Sequence, residues 1–200
     1  MKPLFPVVLL LATSLLSAEQ IPIFNGEDLS GWEARGKAEW RVEDGVIVGG
    51  QDGDPKRAGT LRTTRLFADF DFECEFMIDE HGKYNSGIYL RDVPGAKGRR
   101  YQVNIGRGVV GEYVGLYRDD WLDTGDEKDK IRKPNAWNQL RIRAEGPRIQ
   151  VWLNRQPIVD YTEADPQEID LAAGSLTLQT YGAEGHAGWV KFRNLRLTEL

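Results

Sequence analysis

Cysteine occurs once, at Cys74, and histidine twice, in a chain of 200 residues. One cysteine excludes an internal disulfide, so the fold must stand on its core, which a chain of this length can supply. His81 and His186 lie far apart in glycine-containing stretches. They make no zinc motif, and no Ser-His-Asp or Cys-His signature surrounds them. No basic stripe exists: 26 basic and 31 acidic residues are interspersed, for a net charge of −5. That balance excludes the cationic face a phosphate backbone needs, so nucleic acid is not an expected partner. Internal repeats, low-complexity linkers and long helical periodicities are missing too.

Long apolar runs are also scarce, and the one at residues 4–16 is too short to span a bilayer comfortably. With Lys2 ahead of it and Leu16-Ser17-Ala18 behind, it reads as a signal peptide over residues 1–18, with the working domain at 19–200. A secreted or periplasmic location is expected, with no stable membrane span after cleavage. A retained anchor is the rival reading. No cysteine follows the run, so a lipoprotein anchor is not available.

Aromatics, glycine and alternation are abundant. The chain has 6 Trp, 7 Tyr, 7 Phe, 22 Gly and 9 Pro, a composition of short strands and turns. Trp40 and Val42, then Val46 to Val48, flank Asp44-Gly45 as a hairpin. Phe70, Phe72, Cys74, Phe76 and Ile78 share one face of a strand, which makes Cys74 a small buried hydrophobe, not a nucleophile. The same period recurs around Ile88 and Leu90, Val103 and Ile105, Leu140 and Ile142, Val151 and Leu153, and Leu176 and Leu178. Near Arg193-Asn194 the last strand changes phase, which predicts a bulge. Many short strands with polar outward positions predict an all-β sandwich of two packed antiparallel sheets.

Several patterns are weighed against plainer readings. Gly106-Arg107-Gly108-Val109-Val110-Gly111 matches the spacing of a dinucleotide loop, but the following residues read as strand where that loop needs a helix. Asp119, Asp120, Asp123, Asp126 and Asp129 offer oxygen ligands for calcium, but their spacing is not that of an EF-hand, and one long solvated loop is the simpler reading. Asp52-Gly53-Asp54 is weaker still. No cofactor or metal is expected.

The outward strand positions are richer. Glu75, Tyr89, Arg91, Gln102, Asn104 and Gln179 all alternate with apolar partners. If their strands are neighbours, they line one polar sheet face. Amides and a guanidinium pair with sugar hydroxyls, and Trp121, Tyr113 and Tyr181 could stack on a pyranose. An ordinary solvated face is the competing reading. Glycoside hydrolysis usually asks for two carboxyl groups; Glu75 is the first candidate, with Asp92 or Glu112 as a second.

Phe24-Asn25-Gly26-Glu27-Asp28-Leu29-Ser30-Gly31-Trp32 resembles the opening FNGKDLSGW of the 3-keto-disaccharide hydrolase domain family. Trp40-Arg41-Val42-Glu43-Asp44-Gly45 is similar to its hairpin, the strand at 69–76 to its GDFELxxEF segment, and Asn85-Ser86-Gly87-Ile88-Tyr89-Leu90-Arg91 to NSGIFLR. Trp137-Asn138, Val151-Trp152-Leu153-Asn154 and Phe192-Arg193-Asn194-Leu195 continue the ordered set. The resemblance implies a concanavalin-like β-sandwich, or jelly roll, of two curved sheets, in a bacterial extracellular or periplasmic protein that cleaves a glycoside oxidised at C3. It implies Glu75 as base, Arg91 as electrophile, and Asn85 and Gln179 as sugar contacts, although Asn85 also suits a turn. Two motifs depart. The family's YEVQ is Tyr101-Gln102-Val103-Asn104 here, and its LQDHG is Leu178-Gln179-Thr180-Tyr181-Gly182. Titratable groups are thereby replaced by sugar-compatible ones. The expected function is a glycoside or 3-keto-disaccharide hydrolase with a carbohydrate ligand. The alternatives are a non-catalytic carbohydrate-binding module, or an envelope domain with no sugar site.

Overall fold

The computed structural model describes residues 19–50, 58–79, 84–96, 100–106, 113–182 and 188–200. The segment read as a signal peptide, both histidines, Asp52, Asp54, the glycine-spaced run after Gly106 and Glu112 lie outside them. Within the described residues fifteen strands form in chain order. They are β1 (Ile21–Pro22), β2 (Trp32–Gly36), β3 (Trp40–Glu43), β4 (Val46–Gly49), β5 (Gly59–Thr63), β6 (Phe70–Ile78), β7 (Tyr84–Asp92), β8 (Tyr101–Asn104), β9 (Gly115–Arg118), β10 (Asp120–Asp123), β11 (Asn138–Glu145), β12 (Arg148–Leu153), β13 (Gln156–Thr162), β14 (Ser175–Gly182) and β15 (Val190–Glu199). One helical turn, α1 (Glu168–Leu171), precedes β14.

The strands make two antiparallel sheets. One runs β13-β12-β11-β6-β15-β4-β3, with β1 also paired to β15, and has eight strands. The other runs β10-β9-β8-β7-β14-β5-β2 and has seven. Alternation decides what each strand buries. Phe72, Phe76, Leu140, Ile142, Val151 and Phe192 project from the eight-stranded sheet into the core. Leu61, Ile88, Leu90, Val103, Leu116, Leu176 and Leu178 meet them from the seven-stranded one. Burying one such side chain contributes about 1.5–3 kcal/mol. Cys74 lies in this core, where burial pushes its thiol pKa well up. The architecture is the expected all-β sandwich.

Of the four register shifts among the described strands, two bear on the expected site residues. In β15 the register against β6 shifts between Arg193 and Arg196, with Asn194 at φ 55°, as the phase change predicts. In the pairing of β7 with β14 it shifts between Ser175 and Thr177, opposite Arg91 at φ 49°. That second bulge has no signal in the alternation. It turns Arg91 inward and returns Asp92 to the outer side.

The stretch 119–129, expected as one loop, begins with β10, which pairs with β9. Its acids then serve the turn. Asp126 accepts from the backbone amides of Lys130, Ile131 and Arg132, and Asp129 takes Arg132. Strands β2, β5 and β13 also escape sequence reading. In β13 Pro157 suppresses the signal, and it is tolerated because β13 is an edge. Among the described residues no helix is long and apolar enough to cross a membrane.

Candidate functional site

The cross-strand register sets a row of side chains on the outer face of the seven-stranded sheet. Trp121 pairs with Tyr117, Tyr117 with Gln102, Gln102 with Tyr89, Tyr89 with Thr177, Thr177 with Arg62, and Arg62 with Glu33. The row therefore crosses every strand of that sheet. Beside it runs a second row, Thr60, Gln179, Gly87 and Asn104, and beyond that Tyr181 opposite Asn85.

The centre of this face depends on a missing side chain. A Cβ on Gly87 would lie 2.2 Å from Gln102 Nε2. With glycine there, the Gln102 amide crosses β7 and donates to Gln179 Oε1 on β14 at 3.0 Å. Asn104 Nδ2 donates to the carbonyls of Gly106 and Tyr113 at 3.0 and 2.9 Å. Among the described residues no donor reaches the buried Oδ1 atoms of Asn104 and Asn85, an uncommon state for a polar atom.

An aromatic wall stands at the β9–β10 side. Tyr113 and Trp121 have ring centroids 4.3 Å apart, and Tyr117 meets Trp121 edge-on at 5.5 Å. Along the other flank, the Arg100 guanidinium lies 4.3 Å above the Tyr89 ring. Asp92 accepts from Thr177 Oγ1 at 3.1 Å and from Arg100 Nη1 at 3.4 Å. Burial pushes the Tyr89 phenol above its ordinary pKa, against the pull of Arg100, and keeps it protonated. A pocket of about 240 Å³ opens beside Gln179, lined by Arg35 and Thr60.

These outward positions are not an ordinary solvated sheet face. Asn85, Gln102, Asn104 and Thr177 are all at most 4% exposed. A solvated face leaves its polar side chains in water; here they form a buried polar floor with aromatic margins.

Of the expected site residues, Asn85, Tyr89, Gln102, Asn104, Trp121, Gln179 and Tyr181 come together on this face. Asn85 lies within β7 and not in a turn. Glu75 and Arg91 do not join them. Glu75 belongs to β6 in the other sheet, and its Oε2 accepts from Arg193 Nε and Asn194 Nδ2, both at 2.7 Å. Alternation identifies the face of a strand but not the sheet that holds it, so it cannot separate Glu75 from the rest. Arg91 points inward and its side chain is 2% exposed. It donates to the carbonyls of Ala68 (2.6 Å), Gly146 (2.8 Å) and Asp170 (2.9 Å), and to Asp69 Oδ1 (2.8 Å). It is a tie between the sheets, with four of its five N–H donors engaged by the protein. Sequence reasoning missed Gly87, Arg100, Tyr117 and Thr177. The last two were available from alternation, and a glycine inside a strand signals a close approach. Among the described residues no three His, Cys, Asp or Glu side chains gather as a metal site.

Two packed antiparallel sheets in this order make a concanavalin-like sandwich fold. The chain belongs to the 3-keto-alpha-glucoside-1,2-lyase-like domain family, whose model matches residues 19–198, as its ordered motifs suggest. It is similar to a levanase of a Bacillus species, at 24% identity over 176 residues; these are 86% of this chain but 18% of the levanase. The chain thus spans under a fifth of that curated relative. Its fold is similar to that of a candidate glycosyl hydrolase of Parabacteroides distasonis, with TM-score 0.65 and 20% identity over 90% of this chain and 94% of the other. It is also similar to the carbohydrate binding module CBM66 of Bacillus subtilis, with TM-score 0.54 and 16% identity over 84% and 96%.

Proposed function

We propose that the protein acts on a glycoside held across the outer face of the seven-stranded sheet, and that this glycoside is oxidised at C3. The observation that carries the reading is the buried polar floor bridged by Gln102 and Gln179 over Gly87. The family supports the substrate class, and the levanase and CBM66 likenesses support a carbohydrate.

A 3-keto group acidifies the proton at C2. A base removes that proton, the C1–O bond breaks, the leaving oxygen takes up a proton, and a C1–C2 double bond forms. Adding water across it completes hydrolysis. On this face Asp92 takes the role of base first expected of Glu75, and protonated Tyr89 donates to the developing oxyanion.

The test is release of a chromogenic leaving group from a 3-keto-glycoside, set against the unoxidised parent. Release from the keto form alone, abolished by Asp92→Asn, is expected. Unchanged turnover in that variant overturns Asp92 as base. A second reading, a non-catalytic carbohydrate-binding module, is favoured by Gln102 standing where the family motif carries a carboxylate. It predicts no release from either compound, and calorimetric binding of a glycan that Gln102→Ala weakens.

A further inference from the structure

A second groove, of about 620 Å³, lies on the outer face of the eight-stranded sheet. It crosses β12, β11, β6 and β15, which are consecutive neighbours. One wall is the cross-strand row Trp152, Arg141, Glu73 and Arg196. The other begins at Gln139 and continues through Glu75 to Asn194.

The charges along it alternate. Arg155 borders the β12 end, Glu73 and Glu75 occupy the middle, and Arg196 borders the β15 end. Arg141 is already committed: it holds Asp71 through Nε and Nη2 at 2.8 and 2.5 Å, lies 4.7 Å over the Trp152 ring, and comes within 3.9 Å of Glu73 Oε1. The two terminal arginines are not so committed. Among the described residues Arg155 donates one side-chain bond, Nε to Gln139 Oε1 at 3.2 Å. Arg196 is exposed, and no carboxylate among the described residues pairs with it.

Arg155 also sits where the backbone favours glycine. The turn between β12 and β13 places Asn154 at φ 49° and Arg155 at φ 69°. Asparagine tolerates the left-handed region, but a long side chain there is strained. Strain held at a residue bordering a groove is an outlier that points to use.

We propose that this groove is a second saccharide site, and that it takes an acidic oligosaccharide of two or more linked uronic acid residues. The two guanidinium groups, one at each end, match separated carboxylates, to which arginine offers paired donors. Arg155 Nε reaches over to Gln139 on β11, and neighbouring strands lie about 4.8 Å apart, so the two steps from β11 to β15 separate the ends by roughly 10 Å, the reach of two linked sugar residues. Between them Glu73 and the uncommitted Oε1 of Glu75 accept hydroxyl protons, and Asn194 and Gln139 add amides. The same two carboxylates repel a dense polyanion, which argues against a phosphate chain. The site is separate from the glycoside face and stands without it.

Calorimetric titration of the protein with digalacturonate, and with the neutral digalactose of the same linkage, tests the proposal. Digalacturonate should bind at least roughly tenfold tighter than its neutral counterpart, and Arg155→Gly and Arg196→Gln should each weaken it about tenfold. Gln102→Ala should leave this binding unchanged. Arg155→Gly should hold or raise the unfolding temperature, so loss of binding in that variant cannot be loss of fold. Absence of digalacturonate binding, equal binding of both disaccharides, or full binding by both arginine variants overturns the proposal.

Discussion

Gly87 and Arg91 lie four residues apart on one strand and do opposite things with space. Gly87 leaves a gap that the Gln102 amide fills on its way to Gln179. In Gly87→Ala the new methyl would displace that flexible amide and leave the backbone pairing in place. The unfolding temperature should then change little while glycan affinity falls about tenfold; equal affinity would detach the amide bridge from binding. Arg91 fills space with charge. Arg91→Met would take a donor from the carbonyls of Ala68, Gly146 and Asp170 and would leave the Asp69 carboxylate only the Gly146 amide. Removing one partner of a buried charged network costs about 3–5 kcal/mol, and denaturant unfolding should show a loss of that size. Residue identities alone made Gln102, Gln179 and Tyr89 legible as sugar-compatible. They made Arg91 look the same, because a bulge in the partner pairing, silent in the alternation, turned it inward.

At the scale of elements, long strands with strict alternation were readable: β6, β11 and β12 fall where period two puts them. Short strands such as β10 were not, because four residues carry too little pattern. Loop ends that tie strands together were invisible as well. Glu163, just past β13, accepts from Tyr101 of β8 at 2.9 Å and from Tyr161 at 3.2 Å, and pairs with Arg118 of β9 at 2.8 Å. Burial alone would raise its pKa, but the bonds from Tyr101 and Arg118 outweigh it and hold the carboxyl below its usual range. A depressed folded value means the stabilisation is present above the unfolded pKa of about 4.3 and is lost as pH falls through the folded value. The urea midpoint should therefore drop more steeply below about pH 4 in the native protein than in Glu163→Gln. Parallel acid limbs would show that Glu163 contributes nothing to that slope.

On the scale of the whole molecule, the partition of strands between sheets was the hidden quantity. Sequence neighbours β6 and β7 lie in different sheets, while β6 sits beside β15 and β7 beside β14. Such long-range pairings are not encoded in any local period, so alternation alone cannot tell Glu75 from residues of the opposite sheet. Both sheets nevertheless share one apolar interior, so they should unfold together. Phe192, fully buried on β15, tests this. Phe192→Ala should cost about 3–5 kcal/mol and lower the urea midpoint with little change in slope. A biphasic transition would show that the sheets melt separately.

Cys74, the chain's one thiol, is placed to keep time on that transition. It is 4% exposed at the centre of the sandwich, and burial disfavours its thiolate. Neither access nor the reactive ionised form is offered while the sheets stay packed. An alkylating reagent added to the native protein should thus modify Cys74 only through openings of the fold. The rate of that labelling would read out the opening equilibrium under native conditions, with no probe introduced.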